Sequence, residues 1–137
     1  MDTKSRRALM YGCIWLAIII SAIAIAGYMI STADKAESKN RDIAVSLVQN
    51  YGRDIEGSET ILTALRTVLR TTESTGTPIE RLGWYASHTS GSVYRVGFAF
   101  NEWGTTNYVE WDVNINSYQL GAVDSMSQTI KEMAEMW

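Results

Sequence analysis

An uncharged apolar run near the N-terminus constrains this chain more than any other feature. It extends from Ala8 to Ile30, 23 residues without Asp, Glu, Lys, Arg or His. An α-helix rises about 1.5 Å per residue, so the run would be about 35 Å long, enough to cross the hydrocarbon core of a membrane. We therefore predict a transmembrane helix over residues 8–30, with membrane lipid around it.

The run is typical of a retained signal anchor. The apolar core of a cleaved signal peptide has roughly 7–15 residues, fewer than are present here. Ser31-Thr32-Ala33 nevertheless has the small-x-small pattern of a cleavage site, so removal of the segment stays an open alternative. A lipoprotein signal is excluded, because Cys13 lies near the start of the run and not after it.

The flanking charges predict the orientation of the span. Three cations precede the run closely: Lys4, Arg6 and Arg7. Three others follow at a greater distance: Lys35, Lys39 and Arg41. Because positive flanks stay in the cytoplasm, we expect a cytoplasmic tail over residues 1–7. Residues 31–137 are expected outside the cytoplasm, in the periplasm or the extracellular space, on a single-pass protein of the cell membrane.

Composition narrows the chemistry of the chain. One cysteine and one histidine exclude a disulfide scaffold and a zinc site of the usual kind. Residues 31–137 carry nine Lys or Arg against fourteen Asp or Glu, a net charge of −5 that disfavours nucleic acid. Phosphate-binding loops, dinucleotide fingerprints, haem or calcium motifs and the G-x-S-x-G elbow are absent. We expect no catalytic residue, metal or cofactor, and hence no enzyme.

The remaining helices are predicted from apolar spacing and capping residues. Residues 31–57 form a juxtamembrane helix or stalk, and one continuous helix over about residues 8–51 is possible, with Gly52 as its cap. A second helix begins at an N-cap on Ser58 and ends near Thr72. A last helix is capped by Asp124 or Ser125, and its apolar stripe contains Met126, Ile130, Met133 and Trp137.

After residue 80 the apolar period changes from 3.6 to 2, which predicts four strands: Leu82–His88, Ser92–Asn101, Thr106–Ile115 and Tyr118–Val123. Loops of three, four and two residues agree with the parity of the inward side chains. The predicted rows across the sheet are Trp84–Val96–Trp111–Ala122 and Ala86–Tyr94–Val113–Leu120. The fold class is α+β: a transmembrane helix, then an extracytoplasmic domain over residues 58–137 with helices on a four-stranded antiparallel meander and a C-terminal helix.

The predicted strands contain two candidates for a chemical role, the Glu110–Asp112 pair and His88. Glu110 and Asp112 both lie on the outer face, where paired carboxylates support acid–base chemistry or bind a cation. The register places Arg95 opposite Asp112, so a cross-strand ion pair is the preferred interpretation. His88 faces inward by parity, and we expect it to be partly buried and hydrogen-bonded at the sheet edge.

Six residues are candidates for contact with a partner. Ala22 and Ala26 would allow close approach of another membrane helix. Tyr85 and Tyr108 flank a shallow groove over two small residues, unless a helix of the chain covers that face. Trp103 lies in a hairpin loop, either exposed as an anchor or folded back on the sheet. The sixth is Trp137, which otherwise closes the core stripe of the last helix.

A long N-terminal apolar helix followed by a four-stranded meander is similar in layout to a type IV pilin. Pilins also have a leader cut just before the run and an acidic residue near its start. Here Arg7-Ala8 faintly mimics such a cut, and the run has no acidic residue. The leading prediction is a non-catalytic accessory or assembly subunit that binds other membrane protein subunits. A ligand-binding or sensing module is the alternative, and the resemblance implies a pilin-like filament subunit as a third.

Overall fold

The computed structural model describes the backbone of residues 3–136 and the side chains of residues 16–136. It confirms the α+β class, with elements α1 (Thr3–Gln49), α2 (Ile61–Ser74), β1 (Ile79–Ser90), β2 (Val93–Glu102), β3 (Thr105–Asn114), β4 (Leu120–Ala122) and α3 (Ser125–Glu135). The chain divides after Ser38 into two compact units.

The first unit contains the apolar part of α1. Among the described side chains, α1 is the one helix long and apolar enough to cross a membrane, with a mean hydropathy of 2.1 in its most apolar stretch. Two of its described hydroxyl groups bond to the helix's own backbone: Ser21 Oγ donates to the Ala17 carbonyl, and Thr32 Oγ1 donates to the Met29 carbonyl. Such internal pairing is what a surrounding without water requires.

The C-terminal end of α1 belongs to the core of the second unit, where Ala44 and Val48 are fully buried. The helix ends at Gln49, two residues earlier than the predicted limit. Gly52 follows with φ +94°, and a Cβ there would overlap the Glu59 carbonyl oxygen. Glycine is therefore required at this exit from the helix, as predicted.

The predicted N-cap of α2, Ser58, is wrong by two residues. Thr60 is the N-cap, and its hydroxyl accepts a hydrogen bond from the Thr63 amide at 3.2 Å. The hydroxyl of Ser58 instead donates to the carbonyls of Gly52 and Ile55 and closes the preceding loop. The Ser58 hydroxyl therefore stabilises a turn and not the helix N-terminus, and serine side chains commonly have both roles.

The sheet has the predicted antiparallel order β1-β2-β3-β4, and the rows across its last three strands are confirmed. Val96 pairs with Trp111 and Trp111 with Ala122, while Tyr94 pairs with Val113 and Val113 with Leu120.

The predicted pairing of β1 with β2 is wrong by two residues. Trp84 lies opposite Phe98, and Ala86 lies opposite Val96. The reason is the turn: Ser90 pairs with Val93, and Thr89 is left as a bulge, where a three-residue loop was expected. Because the slip is an even number of residues, the side chains between Gly83 and His88 keep their predicted faces.

A second irregularity of β1 lies between Arg81 and Gly83, where Leu82 has no partner on β2. On the N-terminal side of this bulge, side chains at odd-numbered positions of β1 face inward and those at even-numbered positions face outward. Arg81 therefore lies opposite the inward-facing Phe100. Glu80 correspondingly lies on the outer face and accepts a hydrogen bond from Asn101 Nδ2 at 2.8 Å. The bulge thus places a guanidinium on the side of the sheet that carries α2.

The start of the fourth strand is also corrected. Tyr118 was expected to face inward, but it lies in the turn with φ +59° and is 66% exposed. The side chain of Asn114 holds this turn, because its Oδ1 accepts hydrogen bonds from the amides of Asn116 and Ser117. The wider turn shortens β4 without changing its register.

The helices pack on the inner face of the sheet around Trp111, which is fully buried. Its Nε1 donates to the Ser127 carbonyl at 3.0 Å, and its ring stacks on Trp84 at 6.0 Å. Asp124 caps α3, as predicted. Of the predicted α3 stripe, Ile130 is buried, Met126 and Met133 are half-buried, and Trp137 lies outside the described residues.

Candidate interaction surfaces

The outer face of the sheet carries Tyr85 and Tyr108. Tyr85 lies across Gly97, where any Cβ would overlap its ring. Its hydroxyl donates to Glu110 Oε1 at 2.6 Å, and its ring meets that of Tyr108 edge to face at 6.0 Å. Tyr85 itself therefore occupies the space above Gly97 where the groove was predicted, while Tyr108 is 57% exposed.

Burial and the Glu110 carboxylate together raise the pKa of the Tyr85 hydroxyl far above its ordinary value. Both effects act in the same direction, because the phenolate would lose water and face a negative neighbour. The hydroxyl therefore stays protonated and remains a hydrogen-bond donor at neutral pH.

The cross-strand ion pair is confirmed. Arg95 donates to both carboxylate oxygens of Asp112, from Nε at 2.9 Å and from a terminal nitrogen at 3.0 Å. Glu110 is engaged with Tyr85, so the two carboxylates have separate partners. Among the described residues, no group of three or more His, Cys, Asp or Glu side chains is placed to hold a metal ion.

His88 is exposed, so the prediction of partial burial is wrong. The shifted register places His88 opposite Tyr94 near the β1–β2 turn, and the two rings meet edge to face at 5.2 Å. Its Nε2 lies 2.8 Å from the Gly91 carbonyl oxygen, which confirms the expected hydrogen bond at the sheet edge.

Trp103 forms the tip of the β2–β3 hairpin. Glu102 pairs with Thr105, so the loop has two residues where four were predicted. Trp103 and Gly104 have φ of 51° and 79°, and the indole is 71% exposed. Positive φ at both central positions suits the twist of a hairpin, but it costs a bulky residue roughly 1–2 kcal/mol. The indole therefore does not fold back over the sheet.

Trp103 and Tyr118 share this backbone conformation. They are the two non-glycine residues with positive φ in the described part of the chain, and both are exposed aromatics. They occupy the turns at opposite ends of β3. Tyr118 also lines an open cleft of about 770 Å³ beside the end of α1, together with Leu47, Tyr51 and Ile55.

The candidates on the apolar helix lie at its surface. Ala22 borders a shallow depression with Ile18, Ser21 and Ile25, and Ala26 is exposed one turn further along. The last candidate, Trp137, lies outside the described residues.

A pocket of about 200 Å³ between α2 and β1 escaped the sequence analysis. Its lining consists of Leu62, Leu65, Arg66, Leu69, Arg81, Gly83, Trp84 and Phe98. We refer to this site as the α2–β1 pocket. A sequence signal for it does exist, because an isolated glycine inside a strand pattern, here Gly83, indicates a bulge. The exchange of faces that brings Arg81 into the lining follows from that bulge.

Arg81 is held at the rim of the α2–β1 pocket by Glu73 of α2. Two terminal nitrogens of the guanidinium donate to the two carboxylate oxygens, at 2.7 and 2.9 Å. These hydrogen bonds lower the pKa of Glu73 and raise that of Arg81.

Comparison with protein-family models, curated proteins and solved structures found no match for this chain.

Proposed function

We propose that this protein is a non-catalytic, single-pass accessory subunit of a larger membrane complex, anchored by α1 and bound to other subunits through exposed aromatics of its second unit. The observation that carries the proposal is the conformation of Trp103. Asn or Gly at this position would adopt the same backbone without the steric cost. The strained tryptophan is 71% exposed, so it adds little to the core of the fold but is available to contact a partner.

Tryptophan is a residue suited to this role. It is enriched among the side chains that dominate binding at protein interfaces, since it buries a large area with few rotatable bonds. Tyr118, strained and exposed in the same way at the other end of β3, supplies a second aromatic of the same kind. We infer that partner subunits contact the hairpin turns.

The apolar part of α1 supplies the other attachment. Ala22 and Ala26 lie one turn apart on the helix and allow a neighbouring helix to approach closely. Two contacts on one chain act at a raised effective concentration, so neither has to be strong alone. This supports a subunit that is held both in the bilayer and at the hairpin tip.

Trp103→Asn separates binding from folding. Asn-Gly is the preferred sequence for a two-residue hairpin turn, so the variant should be more stable to unfolding by about 1 kcal/mol. At the same time, less of the partner subunits should co-purify in mild detergent, as measured by quantitative mass spectrometry. Met136→Asn is the matched control, because its side chain is exposed to a similar extent, 64%. Equal recovery of the same subunits by the parent and Trp103→Asn would refute the role of Trp103.

The membrane contact is tested by replacing Ala22 and Ala26 with Leu. Leucine is at least as apolar, so the helix should insert as before, while its larger side chain keeps a neighbouring helix away. We expect weaker co-purification at unchanged membrane content, and a further loss when Trp103→Asn is added. A purified parent protein that runs as a lone monomer in gentle detergent, with both variants like the parent, would contradict the accessory-subunit function.

A further inference from the structure

The α2–β1 pocket exists because of the irregularity in β1. Regular alternation would place the side chain of Leu82 on the inner face and that of Arg81 on the outer face. The bulge instead leaves Leu82 51% exposed and brings Arg81 into the lining, next to Gly83, which has no side chain. Bulges that redirect a side chain in this way are frequent beside functional sites.

The charge around the pocket opposes the charge of the unit. Residues 31–137 have a net charge of −5, yet two arginines, Arg66 and Arg81, line the pocket. Arg70 and Arg81 both lie near the carboxylate of Glu73. Arg81 uses both terminal nitrogens on Glu73, whereas the guanidinium of Arg66 makes no hydrogen bond or ion pair within the described part of the chain. One planar fork of donors is thus free at the rim.

The floor of the pocket is apolar and aromatic. Leu65 and Leu69 are each 1% exposed, and Trp84 meets Phe98 edge to face at 5.3 Å. Aromatic rings favour such edge-to-face and offset neighbours. At about 200 Å³ the space is smaller than most pockets for drug-sized ligands, so it suits a single ring with a short substituent.

We propose that the α2–β1 pocket binds a small aromatic monocarboxylate, with its ring on Trp84 and Phe98 and its carboxylate paired with Arg66. A guanidinium matches a carboxylate in a two-point fork. A phosphate dianion is disfavoured, because of the two guanidinium groups that line the pocket only that of Arg66 is free to balance its charge. The site does not depend on Trp103 or on partner subunits.

Cinnamate is the probe, and its amide is the matched neutral compound. Full-length protein in lipid nanodiscs is titrated by calorimetry, with empty nanodiscs as the blank for partitioning into lipid. We expect saturable binding of cinnamate to one site per chain. A charge-assisted pair is typically equivalent to a tenfold to hundredfold change in affinity, so cinnamamide should bind weaker by about that factor.

Arg66→Gln should weaken cinnamate binding by a similar factor, on the order of tenfold or more, and leave the amide unchanged. Arg66 is exposed, so circular dichroism should show the parent fold. Arg53→Gln is the control, an exposed arginine outside this pocket, and it should bind like the parent. The proposal is overturned if cinnamate behaves as in empty nanodiscs, if the amide binds equally well, or if Arg66→Gln binds like the parent.

Discussion

Two tyrosine hydroxyl groups on the outer face of the sheet, one on β1 and one on β3, differ in whether they have a hydrogen-bond partner. The Tyr85 hydroxyl bonds to Glu110, whereas that of Tyr108, on the same face, makes no hydrogen bond with any described residue. The difference comes from the small residue under the first ring. Gly97 lets Tyr85 lie down on the sheet and reach the carboxylate two strands away. The absence of a Cβ at Gly97 therefore allows the hydrogen bond between Tyr85 and Glu110.

Tyr85→Phe should lower the free energy of unfolding at pH 7 by about 1 kcal/mol, the usual net value of a hydrogen bond that is only partly shielded. The raised pKa of Tyr85 adds a pH dependence. This stabilisation is complete below the unfolded pKa near 10 and is lost as the pH rises through the folded pKa. The parent should thus lose more stability than the variant above about pH 10. Urea unfolding of both proteins at pH 7 and above pH 10 measures this difference.

Tyr108→Phe is the control for that experiment and should leave the free energy of unfolding at pH 7 nearly unchanged. A parent and a Tyr85→Phe variant with the same stability at neutral and alkaline pH would show that the Tyr85–Glu110 hydrogen bond contributes nothing.

At the residue scale, the sequence predicted the positions of some side chains but not the backbone conformation of others. The hairpin-tip position of Trp103 followed from strand parity, and so did the pairing of Arg95 with Asp112. The backbone conformation of Trp103 and Tyr118 did not, since nothing in their chemistry predicts positive φ; only tertiary context holds bulky residues there. The N-cap prediction at Ser58 failed for a different reason: serine is equally suited to a turn and to a helix N-cap, and its residue type does not distinguish the two.

At the scale of elements, the junction between β4 and α3 depends on one buried hydroxyl. Ser127 is fully buried, and its Oγ accepts hydrogen bonds from the amides of Val123 and Asp124 at 3.1 and 3.0 Å. The Ser127 amide in turn donates to Asp124 Oδ1 at 2.7 Å. This reciprocal arrangement fixes the angle at which the strand turns into the helix.

Ser127→Ala should lower the free energy of unfolding by roughly 1–3 kcal/mol, because the partly buried Asp124 amide would lose its acceptor. The Val123 amide would keep only its hydrogen bond to the Glu110 carbonyl. Ser125→Ala, at the exposed first position of the same helix, should cost much less. Chemical denaturation of both variants in detergent compares them directly. Equal losses would mean that the Ser127 hydroxyl does not hold the junction.

The elements that sequence predicted best are those with one dominant pattern. Strands β2 and β3 alternate regularly, and their mutual register was predicted residue for residue. The errors collect on β1, where one extra residue at Leu82 and another at Thr89 change the pairing without changing the hydrophobic pattern enough to reveal it. The α2–β1 pocket was missed for this reason, since it depends on which face Arg81 occupies.

At the scale of the molecule, the chain combines an apolar helix able to cross a membrane with a folded α+β unit. The charges before the helix predict which side that unit occupies. A phosphatase reporter fused after Trp137, of a kind that is active only outside the cytoplasm, should therefore be active. A reporter that is fluorescent only in the cytoplasm should be dark at the same position. The opposite pattern would reverse the orientation.

The two bulges of β1 also bear on how the protein behaves in a crowded solution. Within the described chain β1 pairs with β2 alone, so its other side presents backbone donors and acceptors that a strand of another molecule is able to pair with. An incoming strand meets regular spacing only between Gly83 and His88, and the charges of Glu80 and Arg81 stand at one end of that stretch. The irregularity that shapes the pocket thus also guards this open edge against aggregation.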